Sequence, residues 1–331
     1  MSFQEAKTDF CLHLYMDVIM KNLPHCKMKT VNHNFMKASQ PLLMLAFFVT
    51  VVSCGRPNGT ETKTALNSDT KGPGAIHEKE QERLAKRKQM EEKDYSDSLI
   101  LDKVLQDALK TAGQNIGKDK FTEQYKISPD SVPLSVEINS GYYFTKVNPQ
   151  LIIRRSAPDN IYIDIYSRIG AKFEKVVSHE QWRLTYVGDT MRDINGDGLK
   201  DFVVNGYGSN GCCLKAFSDV YLLRPDKKTF SESFEFINPT FSPGEKIIRG
   251  ICYGHPGETE MYKYKWNGEQ IDTVEYVSYE ERDNGVKTGK VLITTGWPYS
   301  DKSITLKVLN SVPEEYRKIN GYDWFTGEGF D

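Results

Sequence analysis

The segment Asp193-Ile194-Asn195-Gly196-Asp197-Gly198-Leu199-Lys200-Asp201 spells the pattern D-x-N-x-D-G-x-x-D. Oxygen-bearing side chains at the first, third and fifth positions of such a loop converge on one point when the backbone coils around it. Glycine at the sixth position permits the sharp turn, the carbonyl of the seventh points inward, and the ninth closes the shell directly or through water. A set of hard oxygen donors without histidine or cysteine suits calcium rather than zinc or copper. The spacing therefore predicts a calcium loop with Asp193, Asn195 and Asp197 as side-chain ligands, Leu199 as a backbone ligand and Asp201 as the closing ligand.

An EF-hand carries a bidentate glutamate at the twelfth position, where this chain has Val204, and the residues after the loop, Phe202-Val203-Val204, read as a strand instead of a helix. A D-x-N-G-D-G-x-x-D-type loop followed by such a strand resembles the calcium loop of FG-GAP and VCBS-type β-repeat proteins. That resemblance implies an ion that fixes a loop between strands, with affinity in the weak range of extracellular modules because a bidentate ligand is missing. A single loop of this kind is present, so an array of calcium-bound blades is not expected. A looser likeness spans residues 183–280. The loop, Asn238-Pro239-Thr240-Phe241 and Tyr262-Lys263-Tyr264-Lys265-Trp266-Asn267-Gly268 are together similar to a family of periplasmic calcium-binding β lipoproteins. Some members of that family inhibit lysozymes, as immunity proteins against secreted cell-wall hydrolases. No inhibitory loop can be carried over to this chain.

Other candidate chemistry is thinner. Gly206-Tyr207-Gly208-Ser209-Asn210-Gly211-Cys212-Cys213 is glycine-rich, but it lacks the Lys-Ser/Thr of a phosphate loop and leads into a strand. A tight loop pinned by a disulfide accounts for it better. Cys213–Cys252 is the expected pair, with a vicinal Cys212–Cys213 bridge as the alternative. The segment 253–260 (YGHPGETE) contains one histidine and two carboxylates. Its Pro and Gly mark a polar turn. Glu258 and Glu260 would be the carboxylates of a glycosidase reading. No HExxH is present to scaffold metal hydrolysis. The aromatic Tyr322-Asp323-Trp324-Phe325 segment is expected to dock on the core.

Cys54 points to a different chemistry. The apolar run 42–52 is too short for the roughly 20 residues of a spanning helix but matches a signal-peptide core. Lys29 and Lys37 stand before it, and Val51-Val52-Ser53-Cys54 follows. This resembles the lipobox of bacterial lipoproteins, which implies cleavage before Cys54, acylation of its thiol and anchoring by two or more acyl chains. Residues 1–53 are thus expected to be a signal peptide with a mis-called extension, Met28 or Met36 being the true start. Gly55 follows the cysteine in place of the aspartate that favours inner-membrane retention, so the expected location is the periplasmic face of the outer membrane.

The whole chain has a formal charge of −2. Removing residues 1–53 takes away five lysines and three acidic residues and leaves −4, no electrostatic footprint for nucleic acid. Residues 54–94 read as a tether, first Gly/Pro/Asn/Thr-rich and then charged from Glu78 to Lys93. Ser96 or Asp97 is expected to cap an amphipathic helix whose apolar positions run Ile100, Leu101, Val104, Leu105, Ala108, Leu109 and Ala112, ending at Gly113. From there alternation takes over. Ile161, Ile163 and Ile165, then Tyr262, Tyr264 and Trp266, face one side of their strands, and Asn267-Gly268 signals a hairpin. Further strands are expected at 134–145, 149–155, 183–188, 201–205, 217–224, 246–253, 289–296 and 303–309. The expected fold is mostly β, antiparallel sheets in a propeller-like or sandwich arrangement over 95–331, preceded by that helix. Anchoring and resemblance together imply a non-catalytic envelope lipoprotein that binds a protein partner or a cell-wall glycan. The alternatives are an inhibitor of lysozyme-like hydrolases and an envelope hydrolase using the 254–260 loop.

Overall fold

The computed structural model describes residues 73–208 and 213–330. The signal region, Cys54 and Cys212 lie outside the described residues.

Helix α1 spans Pro73–Gln114. It is longer than expected, because the charged stretch placed in the tether is itself helical. No glycine or proline interrupts residues 75–112, and pairs such as Glu82–Lys86 at 2.7 Å supply i,i+4 support in the favourable orientation. Ser96 and Asp97 are interior to this helix, so they cap nothing, and Ser98 turns its hydroxyl back onto the Tyr95 carbonyl at 2.7 Å. Nor is the helix amphipathic along its length. Its buried side chains are Val104, Leu105, Ala108 and Ala112, a single stripe on the last three turns. The chain divides into two compact units between Lys103 and Val104, and the stripe belongs to the unit that holds the sheets. Asp107 lies close enough to Tyr125 to raise its phenol, beside the stronger effects of burial and Glu123.

The sheets are three consecutive antiparallel meanders in which every strand pairs with the next in sequence. The first contains β1 (Phe121–Ile127), β2 (Leu134–Gly141), β3 (Gln150–Ser156), β4 (Asn160–Ile169) and β5 (Lys172–Trp182). The second contains β6 (Tyr186–Arg192), β7 (Asp201–Tyr207), β8 (Ala216–Tyr221) and β9 (Phe234–Ile237). The third contains β10 (Pro239–Ser242), β11 (Ile247–Ile251), β12 (Met261–Asn267), β13 (Gln270–Glu281), β14 (Lys287–Thr294) and β15 (Thr305–Leu309). Strand alternation sends successive side chains to opposite faces, so the middle sheet can be buried on both. Phe202, Val204 and Tyr221 pack with Ile152, Ile163 and Ile165 of the first sheet. Val203, Val220, Phe234 and Phe236 pack with Ile248, Tyr262, Tyr264 and Trp266 of the third. Each fully buried side chain of this size contributes roughly 1.5–3 kcal/mol. Both sandwiches and successive propeller blades pack antiparallel sheets face to face in this way.

The far side of the third sheet is closed by the C-terminal segment. Helices α2 (Glu314–Arg317) and α3 (Tyr322–Thr326) place Tyr316 and Phe325 against Met261, Val277 and Ile293, which is the docking expected of the terminal aromatics. The Asn267-Gly268 hairpin forms one residue later than its sequence suggests. Asn267 still pairs with Gln270, and Gly268 and Glu269 make the turn, with Gly268 at φ 60°. Strands β1, β5, β9 and β10 are unanticipated, and the expected 183–188 strand lies instead at 186–192.

Candidate functional site

The Asp193–Asp201 segment joins β6 to β7 in the middle sheet, so both its ends are held by a paired ladder. Its carboxyl groups wind the loop by capping its own amides. Asp193 accepts from Gly196 N at 2.7 Å through Oδ1 and from Gly198 N at 2.9 Å through Oδ2. Asn195 Oδ1 accepts from Asp197 N at 3.0 Å, and Asp197 Oδ1 from Leu199 N at 2.8 Å. Gly196 and Gly198 lie at φ 74° and 85°, the left-handed conformation that only glycine enters freely. Gly196 is required twice over, because a Cβ there would lie 2.0 Å from the Pro243 carbonyl oxygen. Ile194, fully buried, nails the loop to the core shared by the second and third sheets.

Asp201 plays a part that the motif does not announce. Its side chain is wholly buried, Oδ2 accepts from Ile194 N at 2.9 Å, and Oδ1 accepts from Leu223 N at 2.9 Å. The carboxylate thus ties the loop's entrance to the strand end beyond β8. Burial pushes its pKa up to about 7. The two backbone N–H groups oppose that rise, while Asp197 and Asp193 add to it. Among the described residues none of Asp193, Asp197 and Asp201 is in an ion pair. Asp193, Asn195 and Asp197 are brought into one coil, and Asp201 reaches across its base. Also among the described residues, no three His, Cys, Asp or Glu side chains converge as a metal-holding group; the loop oxygens engage amides instead.

The remaining sequence candidates separate. Cys252 is buried at the end of β11 and Cys213 is half-buried, and the two are not joined to each other. The turn at 254–260 is pinned to the C-terminal segment. Trp324 Nε1 donates to the Gly254 carbonyl at 2.9 Å, Gly257 N donates to the Trp324 carbonyl at 2.8 Å, and Lys287 donates to the Gly257 carbonyl. Glu258 is exposed whereas Glu260 is buried. Burial raises Glu260 to about 7 and Glu281 adds to the rise, although a hydrogen bond from Tyr299 opposes it.

Two polar networks between the first and second sheets carry no sequence motif. Arg154 on β3 grips Asp189 on β6 with both arms, Nε at 2.9 Å and Nη2 at 2.6 Å, and Tyr186 donates to the same carboxylate at 2.7 Å. His179 on β5 meets Tyr221 on β8. Strand alternation does place both Arg154 and His179 on the inward face of the first sheet, in register with Ile163 between them. That placement is the signal that could have found them.

No protein-family model, curated protein or solved structure matches the chain. Among the described residues no helix is long and apolar enough to cross a membrane.

Proposed function

We propose that the chain is an outer-membrane lipoprotein, anchored through Cys54 and facing the periplasm, whose calcium-stabilised β domain binds a protein partner or a cell-wall glycan without catalysis. One observation carries the calcium part. Three carboxylates share a coiled loop, one of them wholly buried, with no cationic side chain paired to any of them among the described residues. Asp193 and Asp197 raise the Asp201 carboxyl by repulsion, and a divalent ion is the hard cation that relieves such repulsion in an oxygen set of this kind. Asp193, Asn195, Asp197, the Leu199 carbonyl and Asp201 would hold it. Asp201 would serve through lone pairs not already committed to Ile194 and Leu223. The ion's role there is to neutralise the loop and lock β6 to β7. The anchor rests on the lipobox-like run before Cys54, and the partner class on the resemblance to calcium-binding envelope lipoproteins. Inhibition of a lysozyme-like hydrolase is a special case of that partner reading, tested by assaying the pure protein against such enzymes.

Thermal melts with calcium and with chelator test the central claim, because a ligand bound only by the folded state raises the midpoint. Calcium raises the midpoint of the wild type and leaves that of Asp197→Ala unmoved. An unchanged midpoint in both proteins ends the calcium reading.

The hydrolase reading has one specific observation in its favour, the buried Glu260 carboxyl held near neutrality. A general acid works best with such a pKa. Loss of glycan cleavage in Glu260→Gln would support it, and absence of any cleavage by the wild type would remove it.

A further inference from the structure

Residues 295–304 join β14 to β15 and carry two aromatic rings in unlike surroundings. Trp297 packs on the core shared by the second and third sheets, edge-to-face with Tyr276 at 6.0 Å between ring centroids. Tyr299, two residues on, is 65% exposed. An exposed side chain ordinarily hops between rotamers, but this one is held. Pro298 presets the first turn, which Ser300 N closes by donating to the Trp297 carbonyl at 2.9 Å. Ser303 N closes a second turn onto the Ser300 carbonyl at 2.8 Å. Thr294 Oγ1 and Ser303 Oγ both donate to the Gly296 carbonyl, at 2.7 and 3.0 Å, and draw the two ends of the loop together. Trp297 stands beside the Tyr299 ring, with centroids 5.7 Å apart and planes at 64°. At its tip the Tyr299 hydroxyl is hydrogen-bonded to Glu260, a residue only 4% exposed.

A carboxylate completes the surroundings. Glu281, at the end of β13, is exposed and lies close enough to Tyr299 and Glu260 to raise both. A tyrosine face stacks on the C–H face of a pyranose ring, and a carboxylate accepts strongly from the sugar's hydroxyls. Because the Tyr299 ring is already ordered, it loses little further entropy on contact. A stable protein interface needs upwards of about 1,000 Å², more than one ring beside a carboxylate supplies. With Glu260 raised to about 7, the two acids do not present a full double charge at neutral pH, which suits uncharged hydroxyls better than a cation.

We propose that Tyr299 is the stacking platform of a glycan subsite, where one pyranose ring of a cell-wall chain lies on its exposed face and turns hydroxyls to the Glu281 carboxylate. Glu260 is a positioning residue that fixes the ring through its hydroxyl. The subsite rests on the glycan branch of the function proposed above and gives that branch a place on the molecule.

Calorimetric titration of the full chain with tri-N-acetylchitotriose tests it. The triose binds saturably to the wild type. Tyr299→Ala weakens it at least about tenfold, whereas Tyr299→Phe, which keeps the ring, weakens it by less than about threefold. A common melting temperature shows that all three proteins are folded. Wild-type affinity in Tyr299→Ala overturns this subsite while leaving glycan binding by the chain intact. A loss in Tyr299→Phe as large as that in Tyr299→Ala also overturns it, since the hydroxyl and not the ring would then carry the binding. No binding by the wild type up to about 10 mM overturns the subsite together with the glycan branch, and leaves the protein-partner branch standing.

Discussion

The Tyr221 hydroxyl lies 3.0 Å from His179 Nδ1, which joins the last strand of the first sheet to the second sheet through two buried side chains. The partners on either side fix the histidine's tautomer. Thr185 gives its hydroxyl proton to the Trp182 carbonyl and accepts from Gln181 Nε2, so Gln181 presents Oε1 to His179 Nε2 at 3.2 Å. Nε2 must then carry the proton, and Nδ1 accepts from Tyr221.

This neutral histidine makes the fold acid-sensitive. Burial lowers its pKa below the ordinary 6.5, against smaller opposing effects of Gln181 and Asp189. Its neutral form is favoured in the fold, whereas the unfolded chain takes up a proton once the pH falls below about 6.5. The stability it contributes is present above that pH and is lost as the pH falls towards the lowered folded value. Denaturant midpoints measured between pH 7 and 5 show this decline in the wild type and a shallower one in His179→Gln. Equal slopes would remove His179 from the account.

Glu260 works in the opposite direction. Its folded pKa of about 7 stands above the unfolded 4.5, so the folded state holds the proton more tightly between those values. Its contribution is most favourable below pH 4.5 and is lost as the pH rises through 7. Glu260→Gln, which keeps the shape and removes the titration, is expected to gain stability relative to wild type between pH 5 and 8, by roughly 1–3 kcal/mol. A difference that does not change with pH would contradict the assignment.

The Arg154–Asp189 pair is costly to break from one side. The Asp189 side chain is only 7% exposed, and Arg154→Met leaves it a buried charge with Tyr186 alone. A loss of about 3–5 kcal/mol is expected, and the double variant Arg154→Met with Asp189→Leu recovers much of it. Urea titrations of the three proteins measure both quantities. No recovery in the double variant would show that the pair matters through shape instead of charge.

Anchoring is separable from folding. Cys54→Ser is expected to move the protein from the membrane fraction to the soluble one without changing the melting temperature of the β domain. Retention of the variant in washed membranes would refute the lipid anchor.

Legibility in the sequence follows burial. Ile161, Ile163 and Ile165 alternate because one face of β4 is sealed by the middle sheet, and Tyr262, Tyr264 and Trp266 alternate for the same reason in β12. Strand β1 (FTEQYKI) is at a sheet edge and has no fully buried side chain, so it carries no such pattern. In β5 a bulge opposite Ile165 and Tyr166 breaks the register, and Lys172, Glu174, Lys175 and Glu180 fill most of the exposed positions. Ser96 and Asp97 do not start the helix, because they are good caps only where a chain leaves extended structure and here it is already helical. The coil of the Asp193–Asp201 loop is legible because its side chains bond within nine residues of one another. Asp201's hold on Leu223 is not, since that partner lies 22 residues away.

The contact of Gly196 with the Pro243 carbonyl has a thermodynamic consequence. The turn that begins at Pro243 carries Glu245, the partner of Arg249 on β11. One short stretch of backbone therefore serves both the loop and that ion pair, with no room for even a methyl group where they meet. An ion that shifted the loop would shift the acceptor that holds Arg249, and the two equilibria would become linked functions. Linkage is reciprocal, so whatever factor the ion applied to the pair, the pair would apply to the ion.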